Sequence, residues 1–307
     1  MATFAIHPLS ADLPFGARVT GVTSELLKDA DIRAQLAQLF EDRGVIVFEG
    51  VENSSAMQTE ISKVFGPLKE HPVASVDRAD ADHLKGVIAI SAGEHAAIVE
   101  INGKPLVTWQ PWHFDHAYND ELNRAGVLRP VIIASEGGKT GFACGIQIYN
   151  DMDPIIRARM EGLHLHYNLD LRYTHQQFGL PKNFRQTRYH ESKLHEETAG
   201  NPCSIHPAMW QRATGEKVFH MTGYGCRGCS GDKSDAVFPM LEEIWEEAMR
   251  VIKPYYHDWQ PNDMVIWDNW RVLHEATGCP PGIERIVHRT TIKGDYGLGR
   301  FEDRAAA

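Results

Sequence analysis

The chain has 307 residues, of which 43% are apolar and 23% charged, a balance that supplies a sizeable core and excludes disorder over most of the length. Its formal net charge of −10 argues against non-specific binding to nucleic acid or an anionic membrane, yet leaves room for a small anionic ligand held by local arginines. Five cysteines, an odd number in a long chain, suggest no disulfide framework, so a reduced, cytoplasmic setting is expected. The opening MATFAIHPLSADLPFG lacks the basic and apolar regions of a signal peptide, and no apolar run reaches the roughly 18 residues of a membrane span.

In chain order, residues 4–8 read as a short strand. Residues 24–42 space Leu26, Leu27, Ile32, Leu36, Leu39 and Phe40 at helical intervals, with Ser24 or Asp31 as the expected cap and Gly44 as the stop. VIVF at 45–48 predicts a buried strand, and 55–65 a second helix ending at the turn FGP. Residues 87–101 predict two strands joined at SAGEH; 102–111, with Gly103, Pro105 and Pro111, predict a loop. Residues 127–135 predict a strand, followed by a turn at GGKTG, and 146–163 and 236–252 predict helices. The stretch 164–202 is polar and without period; loops of that length in compact domains usually serve function or are disordered, so a substrate or lid segment is expected there. Residues 263–292 alternate strand, turn and strand. No internal repeat or linker divides the chain, so 1–307 reads as one domain, mostly β with flanking helices, a sandwich or jelly roll.

The chemistry concentrates in WHFDH at 112–116. On a strand, His113 and Asp115 would point to one face and Phe114 to the other. WDNWRVLHEATG adds His274 after an apolar strand and a turn. Two His and one carboxylate occupy one face of an octahedron and leave positions open, the arrangement of non-haem iron(II) oxygenases. HxD alone is a weak signal in a chain with 16 histidines; a zinc hydrolase with the same ligands and a non-catalytic binding protein remain open on these residues. Further on, Arg285 lies eleven residues past His274, and Arg289 follows four later. A planar, permanently charged fork suits a carboxylate.

FGP, EHPV, WHFD, GGKT, HPxxxxxxTGEK, WDN, the distal His and RxxxR run in order over most of the chain. In this the sequence resembles the taurine dioxygenase/TfdA family of iron(II)- and 2-oxoglutarate-dependent dioxygenases. The resemblance implies a double-stranded β-helix, or jelly roll, and an enzyme that uses Fe(II), O2 and 2-oxoglutarate as co-substrate. It implies that His113, Asp115 and His274 bind the metal, that Arg285 assisted by Thr140 holds the far carboxylate of 2-oxoglutarate, and that Arg289 contacts the anionic group of the substrate. An internal ion pair is the opposing reading for Arg289. The carboxylate Asp115 disfavours the halogenating chemistry of relatives that carry a small residue there. The expected partner is a small anionic molecule, with no nucleic acid and no membrane, in a homo-oligomer.

Several positions depart from the taurine enzyme's pattern. His71 is kept as a substrate residue, but an expected aromatic three positions later is Ala74, and an expected small polar residue four before His113 is Trp109. With Tyr224 near the pocket wall and His116 and Tyr118 beside the metal pair, these changes suggest a substrate bulkier or more aromatic than taurine; a taurine- or alkylsulfonate-type activity is the alternative. CRGC at 226–229 has no second CxxC to complete a zinc site and reads as structural coincidence. His164, His166, His175, His190 and His195 read as a solvated loop, some near the site's mouth.

Overall fold

A computed structural model of the chain describes residues 4–70, 79, 86–92, 96–170, 172–189, 201–230 and 235–302. It opens with strands β1 (Ala5–Pro8) and β2 (Ala17–Thr20), a 3-10 turn over Leu26–Lys28, and helix α1 (Ala30–Arg43). Asp29 caps α1, its carboxylate accepting from the amides of Asp31 and Ile32. The expected caps, Ser24 and Asp31, are displaced because the 3-10 turn absorbs Leu26 and Leu27 and moves the helix start downstream. Gly44, left-handed at φ 73, ends the helix as expected. β3 (Val45–Glu49) and α2 (Ser55–Phe65) fall where the sequence places them.

β4 (Val87–Ser91), β5 (Ile98–Ile101) and β6 (Lys104–His113) follow. Most of β6 was expected as loop. Asn102 and Gly103, at φ 52 and 77, instead make a two-residue hairpin turn that pairs Ile101 with Lys104 and Glu100 with Pro105; Asn-Gly is a strong hairpin signal that the flanking prolines obscured. After β7 (Ala125–Ile132) and β8 (Thr140–Cys144), the expected helix 146–163 is two short ones, α3 (Gly145–Asp151) and α4 (Pro154–Ala158), because Pro154 cannot continue a helix but can start one. The polar stretch 164–202 holds β9 (His164–Tyr167), a 3-10 turn and β10 (Phe184–Arg188), so it is not one long loop; its residues 171 and 190–200, His190 and His195 among them, lie outside the described residues. The chain continues through β11 (Ser204–Pro207), β12 (Met209–Gln211), β13 (Lys217–Phe219), β14 (Cys226–Cys229), α5 (Phe238–Val251), β15 (Tyr255–His257), β16 (Met264–Asp268), β17 (Val272–Cys279), β18 (Ile286–Ile292) and β19 (Arg300–Phe301).

Two large sheets result, ordered β1-β2-β3-β16-β7-β18-β4 and β10-β5-β6-β17-β8-β15, with a smaller sheet β14-β9-β11-β19 and the hairpin β12-β13. Alternation along β3 shows how they pack. Val45 and Val47 join Trp267, Leu128, Phe142, Val272 and Val287 in a core drawn from both large sheets. Ile46 and Phe48 face the other way and pack with Leu36, Phe40, Met57 and Ile61 of α1 and α2. A third core holds α5, which buries Leu241, Ile244, Trp245 and Ala248 at helical spacing. This is the mostly β jelly roll with outer helices that the sequence implied. No helix among the described residues is long and apolar enough to cross a membrane.

Gly126 pairs with Trp267 across β7 and β16, and a Cβ there would sit 2.4 Å from the indole ring. Gly126→Ala is therefore expected to cost about 1–3 kcal/mol of stability, read by denaturant unfolding; unchanged stability would mean the indole can move aside freely.

Candidate metal centre and active site

β6 and β17 are antiparallel neighbours whose register sets His113 directly opposite His274. The imidazole centroids are 4.1 Å apart. Asp115 is not on a strand, because β6 ends at His113 and the chain turns over 115–118. The shared strand face expected for the pair is thus not what aims the carboxylate; the turn does, with His116 in the left-handed region at φ 60. Phe114 does face away, stacked on His220 at 3.9 Å and 21°.

Nε2 of His113 lies 3.9 Å from Asp115 Oδ1, and Nε2 of His274 lies 3.8 Å from the same oxygen. Ligand atoms of all three residues lie within 4.8 Å of one another, and no other group of three His, Cys, Asp or Glu among the described residues is placed to hold a metal. The donor set fits a divalent cation. His113 Nδ1–H donates to the Pro111 carbonyl at 2.7 Å, leaving Nε2 as the free lone pair. Burial holds both imidazoles neutral, and at His274 the His113 ring disfavours protonation further. Burial alone would push the Asp115 carboxyl up, but the Arg289 guanidinium, then the neighbouring imidazoles, hold it well below the usual carboxylate range. Neutral imidazoles and an ionised carboxylate are the states that bind metal.

Arg285 and Arg289 approach from the opposite sheet and line one cavity of about 430 Å³ together with His274 and Thr140. Arg289 Nη1 lies 2.9 Å from both oxygens of Asp115, while its buried Nε has no hydrogen-bond partner. The arginine therefore both forms an internal ion pair and faces the cavity. Arg285 is buried, donates from Nε to the Gly138 carbonyl at 3.0 Å, and pairs with no carboxylate among the described residues. Burial pushes its pKa down, so the desolvated charge is costly unless an anion pairs with it. Thr140 Oγ1 accepts from Trp259 Nε1 at 3.3 Å; since indole can only donate, the hydroxyl proton is left to donate elsewhere.

The rest of the cavity wall is largely apolar, with Ile90, Val99, Leu106 and Val287 beside Trp109 and Tyr173. The Trp109 ring lies 5.2 Å from Tyr173 and 5.4 Å from Phe184, tilted against both. Tyr224 sits 5.7 Å from His113 and 5.9 Å from Tyr173. His116 and Tyr118 line a smaller cavity of about 150 Å³ that shares Gln110, Tyr224 and Arg289 with the larger one. His71 and Ala74 lie outside the described residues. Sequence reasoning missed Tyr173, hidden in the polar middle segment, and Asn269, whose only signal was its place in WDN. The middle histidines are not simply solvated: His166 is buried on β9, and His175 meets Asp170, which also binds Arg172 and Arg227. Cys226 and Cys229 are buried in the third core, and burial pushes the Cys226 thiol up to about 12, which suits packing rather than ligation.

A family model described as taurine catabolism dioxygenase TauD, TfdA family, matches residues 5–291. The (S)-phenoxypropionate/alpha-ketoglutarate-dioxygenase of Sphingobium herbicidovorans is 28% identical over 294 residues, 95% of this chain and 96% of its own. The alpha-ketoglutarate-dependent 2,4-dichlorophenoxyacetate dioxygenase of Cupriavidus pinatubonensis is 24% identical over 94% of this chain and 96% of its own. The crystal structure of a taurine dioxygenase from Burkholderia xenovorans shares the fold with a TM-score of 0.71 at 22% identity, covering 99% of this chain and 96% of that one.

The geometry makes a direct prediction. The wild-type chain should bind one equivalent of Mn(II), followed by the loss of the free-ion electron paramagnetic resonance signal. Asp115→Ala and His274→Ala should both lose that binding. Retention in either variant would place the metal elsewhere.

Proposed function

The chain belongs to the TauD/TfdA family of iron(II)- and 2-oxoglutarate-dependent dioxygenases, and on that premise we propose that it hydroxylates a small organic acid with an apolar, aromatic body. His113, Asp115 and His274 would hold the iron, which with 2-oxoglutarate and dioxygen would supply an oxidant strong enough for a C–H bond, with succinate and carbon dioxide as co-products. The carrying observation is one cavity with two guanidinium groups and an otherwise largely apolar, aromatic wall. Arg285 takes the far carboxylate of 2-oxoglutarate and Thr140 donates its free hydroxyl proton to it. Arg289 takes the carboxylate of the primary substrate, which exchanges for part of its contact with Asp115. Trp109, Tyr173 and Tyr224 hold the organic body and keep water from the reacting carbon. The relatives named for phenoxypropionate and 2,4-dichlorophenoxyacetate support an aryloxyalkanoate-like acid, a carboxylate joined to an aromatic ring through an ether. Trp109, where a small polar residue was expected, favours it over taurine.

Two outcomes test this. Arg285→Ala should raise the KM for 2-oxoglutarate by roughly 100-fold or more, since losing the partner of a desolvated carboxylate costs about 3–5 kcal/mol; an unchanged KM would transfer that role to Arg289. An aryloxyalkanoic acid should stimulate succinate release far more than its neutral amide in the wild type, and Arg289→Ala should erase the preference. Equal turnover of acid and amide by the wild type, or an intact preference in the variant, would overturn the assignment of Arg289.

A further inference from the structure

Asn269, the last residue of WDN, has no role in the site described so far. Asp115 sits in a turn, so no strand ladder holds its backbone. Its amide instead donates to Oδ1 of Asn269 at 2.7 Å, and its carbonyl accepts from Nδ2 of the same side chain at 3.0 Å. The reversed amide would put donor against donor and acceptor against acceptor, so the arrangement has one sense. Nδ2 also reaches the carbonyl and Oδ1 of Asn123, at 3.3 and 3.1 Å, and Asn123 is held in turn by the Ala125 carbonyl at 3.1 Å. Both asparagines are wholly buried. His220 braces the same point twice: its Nε2 lies 3.3 Å from the Asn269 carbonyl, and its ring stacks on Phe114. Asn269 belongs to the turn between β16 and β17, five residues before His274. One amide therefore joins the turn bearing Asp115 to the strand bearing His274.

We propose that Asn269 is a positioning residue for the metal centre, setting Asp115 against His113 and His274 through the Asp115 backbone. This rests on the reading that Asp115 is a metal ligand. Removing an outer partner of a metal ligand costs on the order of 10- to 100-fold in metal affinity. The test measures Mn(II) dissociation constants and thermal stability in parallel for the full chain without co-substrate. Asn269→Ala should bind Mn(II) at least tenfold more weakly than wild type. Asn123→Ala, which leaves the Asn269 amide in place but unbraced, should fall between the two. Gln147→Ala removes a buried amide on α3 that bonds Asp151, the Val251 carbonyl and the Lys253 amide, none of them a residue of the metal site; it should lose stability but keep wild-type affinity. Wild-type affinity in Asn269→Ala overturns the proposal, as does a loss in Gln147→Ala equal to that in Asn269→Ala. If Asn269→Ala does not fold, wild-type affinity in Asn123→Ala overturns it by the same measure. Failure of the wild type to bind Mn(II) would instead overturn the metal reading itself.

Discussion

The site depends on the pairing of β6 with β17, which brings two histidines 161 positions apart in sequence into direct cross-strand opposition. Cross-strand neighbours on one face stand close enough for their side chains to meet, and here the rings stand 4.1 Å apart. A slip of one residue would turn one imidazole to the far face. The register is held from both sides, because β17 pairs β8 through His274 with Phe142 and Ala276 with Thr140. The pairing that aligns the histidines therefore also brings Thr140 to the same cavity.

The second constraint is that the two histidines and Arg289 come from different sheets. His113 and His274 belong to the six-stranded sheet, while Arg289 lies on β18 of the seven-stranded one, between β7 and β4. Their separation is set by the apolar core between the sheets, where Trp267, Phe142, Val272 and Val287 pack. Trp267 belongs to this core, touches His274 at 4.6 Å between ring centroids, and lines the cavity. Core packing is close to crystalline in density, so a change of volume here is transmitted to the site.

How much of this was legible in the sequence follows from what kind of interaction fixes each part. Periodicity found β3, α2 and α5 because their packing faces repeat locally, as Leu241, Ile244, Trp245 and Ala248 do on α5. It failed at β6, where Pro105 and Pro111 resemble loop residues although the Asn102–Gly103 turn makes a hairpin. The three candidate ligands were legible as a group because the chemistry restricts their residue types and their motifs are compact, and the fold brings them together. The role of Asn269 was not, since beyond its place in WDN an asparagine bonded to a backbone 154 positions away leaves no local pattern. Arg289 was legible as a charge facing the cavity, but its contact with Asp115 depends on how far two sheets stand apart, which no strand pattern records.

Charge gives the site its remaining logic. With both imidazoles neutral, Asp115, Arg285 and Arg289 leave one positive charge in excess within a buried space. Glu275, next to His274 and lining the same cavity, offsets only part of it near neutral pH, because burial pushes its carboxyl up to about 7 despite a hydrogen bond from Tyr256. A divalent cation alone would deepen the imbalance and compete with Arg289 for Asp115. A dicarboxylate and a monocarboxylic acid together with that cation would bring the two arginines, the aspartate and the metal to neutrality. Uncompensated buried charge is expensive, so each anion should favour the metal and the metal each anion. A neutral substrate of the same shape would leave Arg289 on Asp115, still pulling on the ligand that the metal needs. The proposed preference for an acid would then be a property of the whole charge set, and the largely apolar wall would strengthen it by excluding the water that would otherwise screen these charges.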